Sequence, residues 1–245
     1  MEVHHHSHTA RKKWTHYFWE FLMLFLAVFC GFLAEYQLEH KIEKDREKQY
    51  VKSMVEDLQQ DTSNLLLSLE SFKRQESFFD TIQQLFPRLG QGYNQSLHNS
   101  MIEVMGWKDF IATDKTMEQL KYAGGMRLIR KRKIADAIAG YDALLRKYQT
   151  DLQGLNTALE KVDDKLGQIV NFEGRDRALR SMTIEELEKG KENYLLRTDL
   201  PTLGEYYNRI WVYRYLRNLT VDNMKSLHTA ASDLIALLNT AYHLK

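Results

Sequence analysis

Proline is nearly missing from this chain: Pro87 and Pro201 are the only two among 245 residues. A proline inside a helix removes a backbone donor and costs about 3 kcal/mol, so their scarcity leaves room for long unbroken helices. Cysteine occurs once, at Cys30, which excludes an intrachain disulfide and leaves packing to hold the fold. An excess of one charge is lacking too. The chain has 34 Lys and Arg against 33 Asp and Glu, a net charge of +1. That balance supplies no general attraction to nucleic acid or acidic substrates. Strand-type alternation, a Gly-rich phosphate loop, zinc-type Cys/His spacing and a nucleophile motif are all wanting. Of the Glu-x-x-His pairs that a di-iron bundle requires, there is one, Glu2 with His5, at the very start. No catalytic residue and no cofactor is expected, and the chain reads as a non-enzyme.

What the chain does have is one dense apolar run. Phe21 to Ala34 (FLMLFLAVFCGFLA) is 14 residues without charge, bracketed by Glu20 and Glu35. As a helix it covers roughly 21 Å, short of the roughly 30 Å hydrocarbon core of a bilayer. Its flanks lengthen it to residues 14–38. Trp14, Tyr17 and Trp19 on one side and Tyr36 on the other match an interfacial aromatic belt, with the two glutamates near headgroup level. A cleaved signal peptide fits less well, because Phe32 sits where a peptidase ending at Ala34 needs a small side chain. Phe29 before Cys30 likewise excludes a lipobox. A buried core helix is the remaining alternative.

Orientation rests on the basic residues. Arg11, Lys12 and Lys13 precede the run, while Lys41, Lys44, Arg46, Lys48 and Lys52 follow it. Counting alone favours the second group inside, yet large C-terminal domains translocate largely regardless of charge, and short basic N-termini stay inside. The expectation is a single-pass protein of the bacterial inner membrane, N-terminus cytoplasmic and C-terminal domain periplasmic. The four parts are a His-rich and basic cytoplasmic tail (1–13), a transmembrane helix (14–38), a charged helical stalk (39–52) and a helical bundle (53–245).

Long heptad-like seams support an all-α fold, with one N-terminal transmembrane helix continuing into a long-helix antiparallel bundle. From Ile134 to Ile169, eleven apolar positions follow one another in steps of three and four, like a coiled-coil seam. A second seam runs Leu203, Tyr206, Ile210, Tyr213, Arg217, Thr220, Met224, Leu227, Ala231, Leu234, Leu238 and Ala241. Arg217 and Thr220 interrupt it, either as a buried polar layer or because the seam shifts onto Leu216 and Leu219. A third runs Val51, Val55, Leu58, Thr62, Leu65, Leu69, Phe72, Phe79 and Phe86, ended by Pro87. Shorter helices are expected near 96–105 and 115–122, the latter stopped by Gly124 and Gly125. The capping box at Thr183 to Glu186 should start another.

Three groups of residues invite a functional reading. His4, His5, His6 and His8 are candidate metal ligands, although a terminus offers them no fixed geometry. Arg127, Arg130, Lys131, Arg132 and Lys133 could contact an anion or an acidic partner. The aromatic residues between Tyr206 and Tyr215 read as core in preference to a ligand pocket.

Histidines 4–6, the Lys/Arg cluster after them and WEFLMLFLAVFCGFLAE resemble a family of uncharacterised bacterial single-span membrane proteins. The similarity continues through Arg46-Glu47-Lys48-Gln49-Tyr50 and Val55-Glu56-Asp57-Leu58, and loosely around Gln119 to Ile129. That resemblance implies an envelope protein with one span and a helical domain, and no particular activity. The expected role is a scaffold or accessory subunit of an envelope complex, touching the lipid bilayer and other membrane or envelope proteins, with a homo-oligomer as a further candidate assembly, and not nucleic acid. The alternative is a ligand-sensing helical module that signals through a partner.

Overall fold

The computed structural model describes residues 14–122, 124–190 and 192–244. Among them the fold is all-α, with seven helices: α1 (Trp14–Leu85), α2 (Gln95–Glu103), α3 (Lys115–Tyr122), α4 (Arg132–Ile169), α5 (Phe172–Ser181), α6 (Ile184–Lys189) and α7 (Leu200–Tyr242). The chain divides into two compact units, Met1–Gln49 and Tyr50–Lys245.

In the first unit α1 is continuously helical from Trp14 onward. It contains the one described helix long and apolar enough to cross a membrane, with a mean hydropathy of 2.0 over its best window. None of that window is buried in protein, which removes the buried-core alternative. Trp14, Tyr17, Trp19 and Tyr36 are all exposed.

The second unit is a bundle of four legs. Along α7 and α4 the contacts run in opposite order: Lys165 meets Glu205, Arg209 bonds the Lys161 carbonyl, and Lys147 reaches Asn223. Phe86 packs on Tyr207, Phe79 on Tyr213, and the Phe72 carbonyl accepts from Arg217, so α7 is antiparallel to α1 as well. The fourth leg lies between α1 and α4 in the chain and is not a single helix. It consists of α2, a non-helical stretch that begins with a turn at Val104 and runs to Asp114, and α3.

That broken leg explains the polar residues inside the bundle. Backbone N–H and C=O groups that are buried without a helix ladder need partners from elsewhere. Side chains of α1 supply them in order down the leg. Gln75 Nε2 donates to the Val104 carbonyl at 2.5 Å, and Ser71 Oγ accepts from the Lys108 amide at 2.7 Å. Asp61 accepts from the Thr113 amide at 2.7 Å. Asp57 accepts from the Thr116 amide at 3.0 Å, which serves the first turn of α3.

The seams themselves follow the 3.6-residue period closely. On α7 every position from Leu203 to Leu238 named above is buried, Arg217 and Thr220 included, while Leu219 is exposed. The seam therefore does not shift, and the polar layer is real. On α4, Leu152 and Leu159 sit at the edge of the core and the other nine positions are buried. The α1 seam differs from expectation. Asp61 and Ser68 face inward, leaving Thr62 and Leu69 only partly buried.

At the far end of the bundle from Tyr50, the chain between α4 and α7 forms a cap. Val170 and Leu195 pair in an isolated antiparallel bridge, and α6 begins with the expected Thr183–Glu186 capping box. At the other end Gly124 adopts φ 68°, the left-handed conformation that glycine reaches without steric penalty, just beyond α3. Tyr206 lies fully buried in the core, its hydroxyl without a partner among the described residues. Tyr206→Phe should therefore raise stability by about 1 kcal/mol, read as a melting midpoint higher by roughly 2–4 °C. A lower midpoint would mean that the hydroxyl is satisfied.

Candidate interaction surface

Because α7 spends its seam on the core, its opposite face is fixed as surface by helical geometry. Most of that face is polar: Asp222, Ser226, Thr229, Ser232 and Asp233 are all exposed there. Over three turns it is not. Trp211 is 62% exposed and Tyr215 54%, with Val212 and Leu219 exposed beside them. The Trp211 and Tyr215 rings lie 6.0 Å apart with planes inclined by 2°, a stacked pair one turn apart. The expectation of an all-core aromatic segment is thus corrected. Tyr206 and Tyr213 are core, Tyr207 is half-buried against Phe86 at 4.8 Å, and Trp211 and Tyr215 face solvent. A single helix can do both because residues 206 and 213 lie a heptad apart, whereas 211 and 215 fall about half a turn away.

A groove of about 310 Å³ borders this patch between α4 and α7. Gly154 and Ala158 on α4 keep it open, facing Val212 and Leu216 on α7. A methyl group added at Gly154 would meet nothing within 4 Å. The rim is charged and held in place: Glu205 pairs with Lys165 at 2.5 Å and with Arg209 at 2.5 Å, and Arg209 donates to the Lys161 carbonyl at 2.6 Å. Hydrogen bonds from Lys165 and then Arg209 hold the Glu205 carboxyl below its ordinary value. An apolar centre with a polar rim is the anatomy of a protein-binding surface.

The interior polar groups are committed elsewhere. Arg217 is buried, with Nε donating to Gln75 at 3.2 Å and Nη1 to Glu76 at 2.6 Å and to Asn218 at 2.7 Å; Nη2 donates to the Phe72 carbonyl. Burial lowers its pKa, and Glu76 partly offsets this. Asp61 accepts from Tyr141 at 2.7 Å as well as from Thr113; burial raises the Asp61 pKa despite both bonds. His98 lies between the Asn94 and Asn193 carbonyls at 2.8 and 3.1 Å, joining α2 to the cap. Burial lowers its pKa, against the pull of those two carbonyls. Arg217 stood out in the sequence as an interruption of the α7 seam, whereas Asp61 and His98 did not. The signal was present: Met54, Asp61, Ser68, Gln75 and Ile82 recur every seven residues, one heptad position that alternates in chemistry while staying inside.

Arg127, Arg132 and Lys133 are exposed around the start of α4. Lys131 has a structural task, donating to the Ala241 carbonyl at the end of α7 and lying 4.5 Å from the centre of the Tyr242 ring. Arg132 approaches Asp136 at 3.7 Å. His4, His5, His6 and His8 lie outside the described residues, as do Arg11, Lys12 and Lys13. Among the described residues no three His, Cys, Asp or Glu side chains converge as a metal site. No known family, curated protein or solved structure matches the chain.

Proposed function

We propose that this protein is a membrane-anchored helical bundle that works through protein–protein contacts, as a scaffold or accessory subunit of an envelope complex, with the outer face of α7 as its docking surface. The support for this reading is the solvent-facing stack of Trp211 and Tyr215, continued by Val212 and Leu219 and bordered by the Gly154 groove. Aromatic side chains concentrate binding energy at interfaces, and apolar patches of this kind on otherwise polar faces mark contact sites. The exposed apolar helix of the first unit supports anchoring by a single span. The inner membrane, a cytoplasmic N-terminus and a periplasmic bundle complete the proposal, on the charge argument and the resemblance given above. The buried polar groups hold backbone in place, and for that reason the sensing alternative is not favoured.

A photo-crosslinking residue placed at Val212 of the full chain in intact membranes should give one discrete adduct. The same residue at Thr229, further along the exposed face, should not. Trp211→Ser with Tyr215→Ser should weaken the adduct at least tenfold while leaving the melting midpoint within about 2 °C, since both side chains are surface. An adduct of twice the chain's mass would identify a second copy as the partner. Equal labelling from positions 212 and 229 would sink the reading.

A further inference from the structure

A second surface, distinct from the α7 patch, lies at the end of the bundle that holds Tyr50. Residues 127–133 (RLIRKRK) carry five cations and no acid. Lys131 is used to close α7, but Arg127, Arg132 and Lys133 project into solvent, and the Arg132–Asp136 contact joins two side chains that are 94% and 72% exposed. Tyr122, the last residue of α3, stands beside this run with 81% of its surface exposed. Position in the bundle is decided by the packing: α1 and α4 run the same way, with Tyr141 bonded to Asp61, so the start of α4 lies at the end where Tyr50 lies.

We infer that this end of the bundle docks on anionic phospholipid headgroups. Cations with an amphipathic aromatic ring among them suit the bilayer interface, where phosphates meet the charges and the ring sits at headgroup depth. The chain itself supplies the proximity. Only residues 39–49 separate Leu38, the end of the candidate span, from Tyr50. Even fully extended, the twelve steps from Leu38 to Tyr50 reach at most about 43 Å, whereas α4, with 38 residues, is about 57 Å long. The end bearing Arg127 to Lys133 therefore stays within tether range of the lipid surface. An acidic soluble protein would need no such tether and no aromatic ring. The inference rests on the membrane anchoring proposed above and is independent of the α7 patch.

The test uses the full chain in lipid nanodiscs, with Cys30→Ser and an environment-sensitive dye on Gln119→Cys, an exposed position on α3 near Tyr122. Nitroxide on the lipid headgroups should quench the dye about threefold more in discs containing anionic phosphatidylglycerol than in discs of phosphatidylcholine alone. The difference should vanish in 0.5 M salt, as screening requires, and in the variant Arg127→Gln, Arg132→Gln, Lys133→Gln. A dye on Ser181→Cys, at the far end of the bundle, should show no lipid dependence. Should the triple variant fail to fold, the salt titration of the otherwise unchanged chain decides. Incorporation into the disc reports the anchor, and quenching reports the contact, so the two readings fail separately. Quenching at Gln119→Cys that ignores phosphatidylglycerol, or equals that at Ser181→Cys, overturns the inference. That includes the case in which the cations serve an acidic protein, where purified chain on lipid alone leaves the dye unquenched.

Discussion

Arg217→Ala should lower the stability of the bundle by about 3–5 kcal/mol, a fall in melting midpoint of roughly 6–20 °C in detergent. The size follows from what the guanidinium holds together. It bonds Gln75, Glu76 and Asn218 at once, caps the Phe72 carbonyl, and lies 5.7 and 5.9 Å from the Phe72 and Phe79 ring centres. Gln75 in turn holds the Val104 carbonyl, where α2 ends, and the Tyr213 hydroxyl. Truncating Arg217 thus leaves the buried Gln75 amide oxygen and the Phe72 carbonyl short of donors, while Glu76 keeps Arg214, and the leg behind Gln75 loses its fastening. Arg217→Lys should recover little, because an ammonium cannot present the planar fork that reaches several acceptors together. A double-mutant cycle with Gln75→Ala should show coupling of about 1 kcal/mol or more, as expected within one network. Additive effects, or an unchanged midpoint in Arg217→Ala, would mean that the layer is not cooperative.

Asp61 is the second site where a single change should be felt, and here the two substitutions should diverge. Asp61→Leu strips partners from the Thr113 amide and the Tyr141 hydroxyl, both inside the bundle, and should cost about 2–4 kcal/mol. Asp61→Asn keeps a carbonyl oxygen for the amide and offers an N–H to the hydroxyl oxygen, so it should be near neutral or stabilising at pH 7. The pH dependence has a definite sign. Burial raises the folded-state pKa of Asp61 above 3.8, so the fold favours the protonated acid. Asp61 therefore carries no penalty below about pH 3.8, and the penalty grows as pH rises through the folded-state pKa. The advantage of Asp61→Asn over the unchanged chain should accordingly widen from pH 4 toward pH 7 in denaturant titrations. A constant difference across that range would show that Asp61 ionises in the fold as it does in water.

How far these features could be read in advance differs by element. Helices α3 and α6 and the seams of α4 and α7 were legible because helical periodicity and capping chemistry are local. Arg217 was visible as an interruption, yet periodicity cannot distinguish a polar residue turned inward from a seam that steps aside. For Asp61 and Gln75 the heptad spacing marks an inward position but not a partner, and Asp57 and Ser71 carry no such signal. Their role depends on the broken leg 29 to 59 residues away in the chain, whose helix ends and non-helical backbone need donors and acceptors there. Trp211 and Tyr215 were read as core because aromatic residues usually are. Only the fixed direction of the α7 seam shows that they point outward.

By itself the sequence determined that this protein is helical, that one apolar segment with a Trp and Tyr collar is long enough to cross a bilayer, and that no disulfide holds the rest. Those properties depend on composition and on spacing along the chain. The tertiary structure alone decided which polar residues are inside, which aromatics are outside, and that the cations of 127–133 share an end of the bundle with Tyr50. Each of these follows from how four legs pack. A helix presents every residue to some direction, and only its neighbours determine which directions are core.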